Sequence, residues 1–338
     1  MEPYYYQGLT KAQQSSYQAM KAGLQGLAPS FPVPLLENGA LTEVFMKLRL
    51  DCPQLFYAGT FQYRYYPDSK NAELVPSYLF EKGKIKEHQK ALQARVEKLA
   101  RPAAKLSDME KLLYIHDFIC KNVHYDKLKK QYSHEIIGPL GHGVGVCEGI
   151  AKAVKILCDA LQIWCIIALA ENNPEKNIKY RHAWNVVRLD KKYYHLDCTF
   201  DNSLGNPEEI RYDYFLLSDK QIFRDHEKLV WQIPACTDAD RFYYKEKKRS
   251  FTKMEEVQKR SAQAVKKGKP LIFHWRGGYM TREIVQELLR IFKEEAAKRE
   301  KFARVSLNWA QAVVRVQFME QLPTQELTME EANEGEKE

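Results

Sequence analysis

Residues 145–161 read GVCEGIAKAVKILCDAL. Ile150, Val154, Leu157, Cys158 and Leu161 fall on one stripe of a 3.6-residue period, so a helix is expected to begin just after Cys147. The preceding segment, Lys127–Val146, contains Gly138, Gly141, Gly143 and Gly145 and is expected to be a loop. Cys147 therefore stands where a loop meets a helix. A helix N-terminus offers unpaired N–H groups and partial positive charge, which favour a thiolate and can hold an oxyanion. Gly145 lies just before it, where a substrate backbone needs close approach, and is expected to help bind substrate.

Downstream, residues 181–200 read RHAWNVVRLDKKYYHLDCTF. Two strands are expected, His182–Leu189 and Lys192–Phe200, joined by a tight turn at Asp190-Lys191. In an antiparallel hairpin an even-length turn puts His182 and Asp197 on one face. An odd one separates them. A turn centred on Asp190-Lys191 sets them diagonally, within side-chain reach. Cys147, His182 and Asp197 then have the chemistry of nucleophile, general base and orienting carboxylate. Trp184, on the face of His182, is expected to shield the imidazole or line the acyl-donor channel. His195 shares the face of Asp197, with a structural role favoured over support of the site. Asn185 faces the other way. His142, weighed as an oxyanion donor, is read instead as a surface residue.

Outward from these segments, Ser107 and Glu110 form a capping box at the start of a helix carrying Leu112, Ile115, Ile119 and Val123. Ile163–Ala170 reads as a strand. Residues 1–104 read as a helix-rich extension, with helices near Lys11–Gly26, Leu41–Leu50 and Lys84–Leu99, a Pro-rich link at Pro29–Pro34 and a strand at Leu55–Tyr66. Residues 105–235 form the expected core. Residues 236–324 read as a small α/β domain: a charged, largely helical stretch Thr237–Lys267 ended by Gly268, a strand at Pro270–His274, a helix at Thr281–Lys298 and strands over Ala303–Phe318. Residues 325–338 hold six Glu and one Lys and are expected to be disordered.

The three segments Gly145-Val146-Cys147-Glu148-Gly149-Ile150-Ala151, His182-Ala183-Trp184-Asn185 and Asp197-Cys198-Thr199 resemble, in order and spacing, the motifs of the transglutaminase-like superfamily. Tyr114–Ile119 resembles the helix before the nucleophile in bacterial members. Tyr214-Phe215-Leu216-Leu217-Ser218-Asp219 and His226 are similar to the segment that closes the domain. The resemblance covers about residues 105–232, and the N-terminal part resembles the extension of Firmicute-type members. Ile150 departs from it, standing where an aromatic is common. The resemblance implies an α+β fold with a papain-like core, the nucleophile helix packed on an antiparallel sheet. It also implies acyl transfer from an amide through a thioester. It leaves the acceptor open, because members include cross-linkers, proteases and inactive proteins.

The 338 residues carry a formal charge of +8. A basic body admits nucleic acid or an anionic surface, but no nucleic-acid signature accompanies it, so a solvated lysine-rich surface is favoured and no nucleic-acid partner is expected. Seven scattered cysteines suit free thiols in a reducing compartment. No signal-peptide pattern opens the sequence and no apolar run approaches the ~20 residues of a membrane span, so a cytoplasmic location and no membrane partner are expected. Cys158, Cys165 and Cys198 fall on apolar stripes and are read as core. Cys52, Cys120 and Cys236 have no evident partner. No close metal-ligand spacing occurs, so no metal or other cofactor is expected.

The function expected is a cysteine hydrolase or acyltransferase on peptide or protein amides. Hydrolysis is preferred, because no calcium loop is present to gate a cross-linker. The alternative is a binding or scaffold protein whose triad is a relic.

Overall fold

In the computed structural model, residues 3–37, 39–65 and 68–321 are described. The acidic segment 325–338 lies outside the described residues. The N-terminal part runs through α1 (Tyr4–Gln7), α2 (Lys11–Gln25), β1 (Phe31–Pro34), α3 (Ala40–Asp51), β2 (Ala58–Tyr65), β3 (Asn71–Tyr78) and α4 (Lys82–Ala100). The expected Pro-rich link is thus partly a strand, and β3 was not expected at all. The three strands pair in the order β1-β3-β2. Pro32 and Pro34 cannot donate to a ladder, and they sit on the edge strand, where that costs least.

The central part runs through α5 (Asp108–Asn122), β4 (His124–Tyr125), β5 (Val144–Gly145), α6 (Cys147–Ala160), β6 (Cys165–Leu169), β7 (Ala183–Leu189), β8 (Lys192–Leu196), α7 (Cys198–Leu204), β9 (Phe215–Leu217) and α8 (Asp219–Ile222). The capping box at Ser107 and Glu110 is present. The segment expected as a loop before Cys147 holds a turn of π-helix at Gly138–His142 and the short strand β5. Strands β6-β7-β8-β9 form an antiparallel sheet. The chain was expected to stay extended through Phe200. Instead β8 ends at Leu196, because Asp197 caps α7 by accepting from the Thr199 and Phe200 N–H groups.

The C-terminal part comprises α9 (Tyr243–Glu246), β10 (Ser250–Phe251), α10 (Met254–Lys267), β11 (Leu271–Trp275), α11 (Arg282–Ala297), β12 (Phe302–Asn308) and β13 (Val313–Met319). Its sheet has the order β10-β11-β13-β12, and it has its own apolar core around Phe251, Phe273 and Phe292. Gly268 ends α10 in the left-handed conformation, as its type suggests. The N-terminal part is different. Leu24, Val44, Phe56 and Leu74 share one apolar cluster with Ile115, Val154 and Phe215, so the boundary expected at residue 104 does not separate two cores. Among the described residues no helix is long and apolar enough to cross a membrane.

Helix α6 is buried on nearly every side. Asn185 on β7 donates to the Ala151 carbonyl at 2.9 Å, fixing helix to sheet. At its first turn the helix touches backbone: a Cβ added at Gly149 would sit 2.1 Å from the Ser133 carbonyl oxygen. This is the physical reason for glycine in Cys147-Glu148-Gly149. We predict that Gly149→Ala destabilises the protein by about 1–3 kcal/mol in urea denaturation, because backbone must move to admit the methyl group. Gly83→Ala, where a Cβ on α4 meets nothing within 4 Å, leaves stability unchanged or slightly raised.

Candidate active site

Cys147 is the first residue of α6, as the sequence suggests. The N–H groups of that first turn have no acceptor within the helix. Of the seven cysteines, Cys147 alone is partly exposed, and the other six are buried. Its Sγ lies 4.0 Å from the Arg181 carbonyl oxygen, beside His182.

The hairpin meets the even-turn condition. Leu189 pairs with Lys192 and Asn185 with Leu196. The connecting residues Asp190 and Lys191 both have positive φ, 51° and 66°. Two such residues define the tight turn whose twist matches the strands. His182 lies just before β7, and Asp197 just after β8. Their side chains meet: His182 Nε2 is 2.6 Å from Asp197 Oδ2. Cys147 is a side-chain hydrogen-bond partner of the same imidazole. Cys147, His182 and Asp197 are therefore brought together.

The electrostatics follow from this chain of contacts. Burial alone disfavours a charged imidazole, but the Asp197 carboxylate and the Cys147 contact outweigh it and raise His182 to about 10. Burial likewise opposes ionisation of Asp197. The charge and hydrogen bond of His182, with the hydrogen bond of His226, hold it well below the usual carboxylate range. Asp197 is 0% exposed and accepts four hydrogen bonds. Oδ1 takes the N–H groups of Thr199 (2.8 Å) and Phe200 (3.1 Å). Oδ2 takes His182 and, at 2.9 Å, His226 Nε2.

Trp184 is only 1% exposed. Its ring stacks on His182 with 5.7 Å between centroids, and its Nε1–H donates to His195 Nδ1 at 2.9 Å. Of the two roles expected for Trp184, shielding the imidazole or lining the acyl-donor channel, the structure shows only that its ring is buried against His182. Gly145 is also buried. A Cβ there would lie 2.8 Å from Pro139 Cγ, so packing by itself already favours the glycine. His142 is exposed and rests on Tyr132.

His195 is fully buried. Its Nδ1 accepts from Trp184, so the proton sits on Nε2, which faces Asp219 Oδ1 at 2.8 Å. Burial holds its pKa below the usual range despite the Asp219 carboxylate. Ligand atoms of His195, Asp219 and Cys236 lie within 4.8 Å of one another, but the proton on Nε2 leaves no lone pair for a metal. His182, Asp197 and His226 converge equally closely, and there the hydrogen bonds to Asp197 already use the converging atoms.

Two features were missed in the sequence. One is His226, quoted only as part of a closing segment and set 29 residues from Asp197. The other is an ionic cluster beneath Cys147. Lys152, 0% exposed, bonds Glu148 at 2.7 Å and Glu135 at 2.8 Å. Arg49 from α3 joins the same two carboxylates. Burial opposes ionisation of Glu148, but Lys152, His134 and Arg49 together hold it far below its usual range. An i,i+4 Glu–Lys pair is an ordinary surface signal, so sequence alone does not mark this one as buried.

Residues 93–198 match the family model of the transglutaminase-like superfamily, and this part of the chain is a transglutaminase-like domain. Two solved structures are similar over part of the chain. One is described as the crystal structure of a TGase: 12% identity, 42% of this chain and 44% of that one, TM-score 0.27. The other is a cysteine-protease candidate from Cytophaga hutchinsonii: 16% identity, 41% of this chain and 61% of that one, TM-score 0.27. The chain spans less than two thirds of either. Comparison with curated proteins gives no match.

The His182–Asp197 pair sets a stability profile. Below pH 6.5, the usual value for His182, folded and unfolded chains both carry the charge and the pair contributes in full. From there to about 10 the unfolded chain gives up a proton that the folded one keeps, so the contribution fades. Asp197 normally titrates at 3.8, so the same pair also weakens below that pH. The stability difference between wild type and His182→Gln is therefore expected to be largest between pH 4 and 6.5 and to shrink towards pH 10, read from urea midpoints. A difference independent of pH contradicts the ion pair.

Proposed function

We propose that the protein is a cysteine-dependent acyl-transfer enzyme acting on peptide or protein amides, with water as the acceptor. The transglutaminase-like domain supports cysteine-based catalysis in general. The observation that carries the finer reading is the His182 imidazole, held by Asp197 through Nε2 and partnered by Cys147.

The Cys147 sulfur attacks the amide carbonyl carbon as a thiolate, its proton already held by His182. The first-turn N–H groups of α6 serve as donors to the developing oxyanion. His182 returns the proton to the leaving nitrogen, which departs as amine or ammonia and leaves a thioester on Cys147. Water, deprotonated by His182, attacks the thioester and releases a carboxylic acid. Asp197 keeps the imidazole oriented and stabilises its cation in both halves. The preference for water rests on the absence from the sequence of a calcium loop that would gate a cross-linker.

The test is a glutamine-containing peptide offered with and without a primary amine. The expected result is release of ammonia or a cleaved peptide bond, no incorporated amine, and a loss on the order of 10³-fold or more in kcat for Cys147→Ala and His182→Ala. Incorporation of the amine overturns the choice of water. Equal turnover by Cys147→Ala overturns the proposal as a whole.

A further inference from the structure

His226 is buried and lies after α8, outside the three motifs. Both of its ring nitrogens face carboxylate oxygens. Nε2 is 2.9 Å from Asp197 Oδ2, and Nδ1 is 2.9 Å from Asp225 Oδ1. Asp225 is itself anchored, accepting from the Tyr214 hydroxyl through Oδ2 at 2.5 Å. The ring packs against Trp184 at 4.9 Å, Phe200 at 4.5 Å, Tyr214 at 5.7 Å and His182 at 5.3 Å between centroids. The contacts form one line: Tyr214 hydroxyl, Asp225, His226, Asp197, His182, Cys147.

We propose that His226 is a positioning residue of the Cys147–His182–Asp197 site, sharing Asp197 Oδ2 with His182 and so fixing the orientation of the carboxylate and the share of its charge that reaches His182. This rests on the function proposed above. Oδ1 is already saturated by two backbone N–H groups, so Oδ2 is the only free variable of the carboxylate. With His226 in place, Oδ2 divides its acceptor strength between two imidazoles. Without it, a fully buried oxygen keeps one donor, the carboxylate is free to rotate about its capping bonds, and His182 loses a fixed partner. The groups facing His226 are Asp197 from the end of β8, His182 from the start of β7, Asp225 beside it and Tyr214 before β9. His195, on β8, stands on the other side of the Trp184 ring.

The test needs no knowledge of the substrate. Alkylation of Cys147 by iodoacetamide is followed at pH 6 by peptide mapping in wild type, Asp197→Asn, His226→Phe, His226→Gln and the double variant His226→Phe/Asp197→Asn. Phe keeps the ring packing and removes the donor. Gln places an amide N–H near the position of Nε2. His226→Phe is expected to slow alkylation about 10–100-fold, by analogy with the loss of a partner that orients a metal-binding histidine. His226→Gln is expected to recover to within about threefold of wild type. The double variant is expected to match Asp197→Asn within about twofold, since a residue acting only through Asp197 has nothing left to act on. The pH profile of p-nitrophenyl acetate turnover is expected to move in His226→Phe and to return in His226→Gln, with KM little changed. A role in packing alone would not move it. Wild-type alkylation in His226→Phe, or additive losses in the double variant, overturns the proposal while leaving the triad intact. If Asp197→Asn and His182→Ala also alkylate like wild type, the triad itself fails and the role of His226 fails with it.

Discussion

The site depends on a single buried carboxylate. Asp197 ends strand β8, caps helix α7 through Oδ1 and holds two imidazoles through Oδ2. The histidine contacts demand the ionised state. Were Asp197 neutral, the cap through Oδ1 would persist, but His182 would lose the charge that keeps it protonated. A buried carboxylate is costly unless nearly every lone pair is used, and here four donors use them. The change from strand to helix after Leu196 and the geometry at Cys147 are thus consequences of one side chain.

A second buried charge cluster fixes the opposite partner. Glu148 follows the nucleophile directly and is clamped by Lys152 from its own helix and Arg49 from α3. Such clusters stabilise little by themselves but penalise every arrangement that breaks them. The N-terminal part is tied in elsewhere too: Asp51 accepts from the Tyr5 and Tyr6 N–H groups, and the Tyr5 hydroxyl donates to the Ile167 carbonyl on β6. Residues before 104 therefore help build the scaffold that holds Cys147 rather than hanging from it.

Much of this was legible from local pattern. The apolar stripe of α6, the capping box of α5 and the tight turn at Asp190-Lys191 are signals within one element or one turn, and each appears in the structure. The even turn agrees with the meeting of His182 and Asp197, although both stand just outside the paired strands. What escaped was set by distance or by competing signals. Lys192–Phe200 reads as continuous strand because Tyr and Phe favour strands, yet Asp197 is also a strong N-cap and the cap prevails. β3 carries Pro76, which argues against a central strand, and tertiary packing overrides it. Trp184 was read from its place on the face of His182 and Gly145 from its place just before Cys147, and neither position announces that the residue is buried. His226 and the Arg49 cluster join residues far apart in the chain, and no periodicity announces such a contact.

The most direct test of this account is the charge state of His182. Its side-chain nitrogens can be followed by proton–nitrogen NMR across a pH series, with the signal assigned by its loss in His182→Gln. The account predicts an imidazole that stays doubly protonated through neutral pH and titrates only near pH 10. A His182 that titrates close to 6.5, like a free histidine, would contradict it.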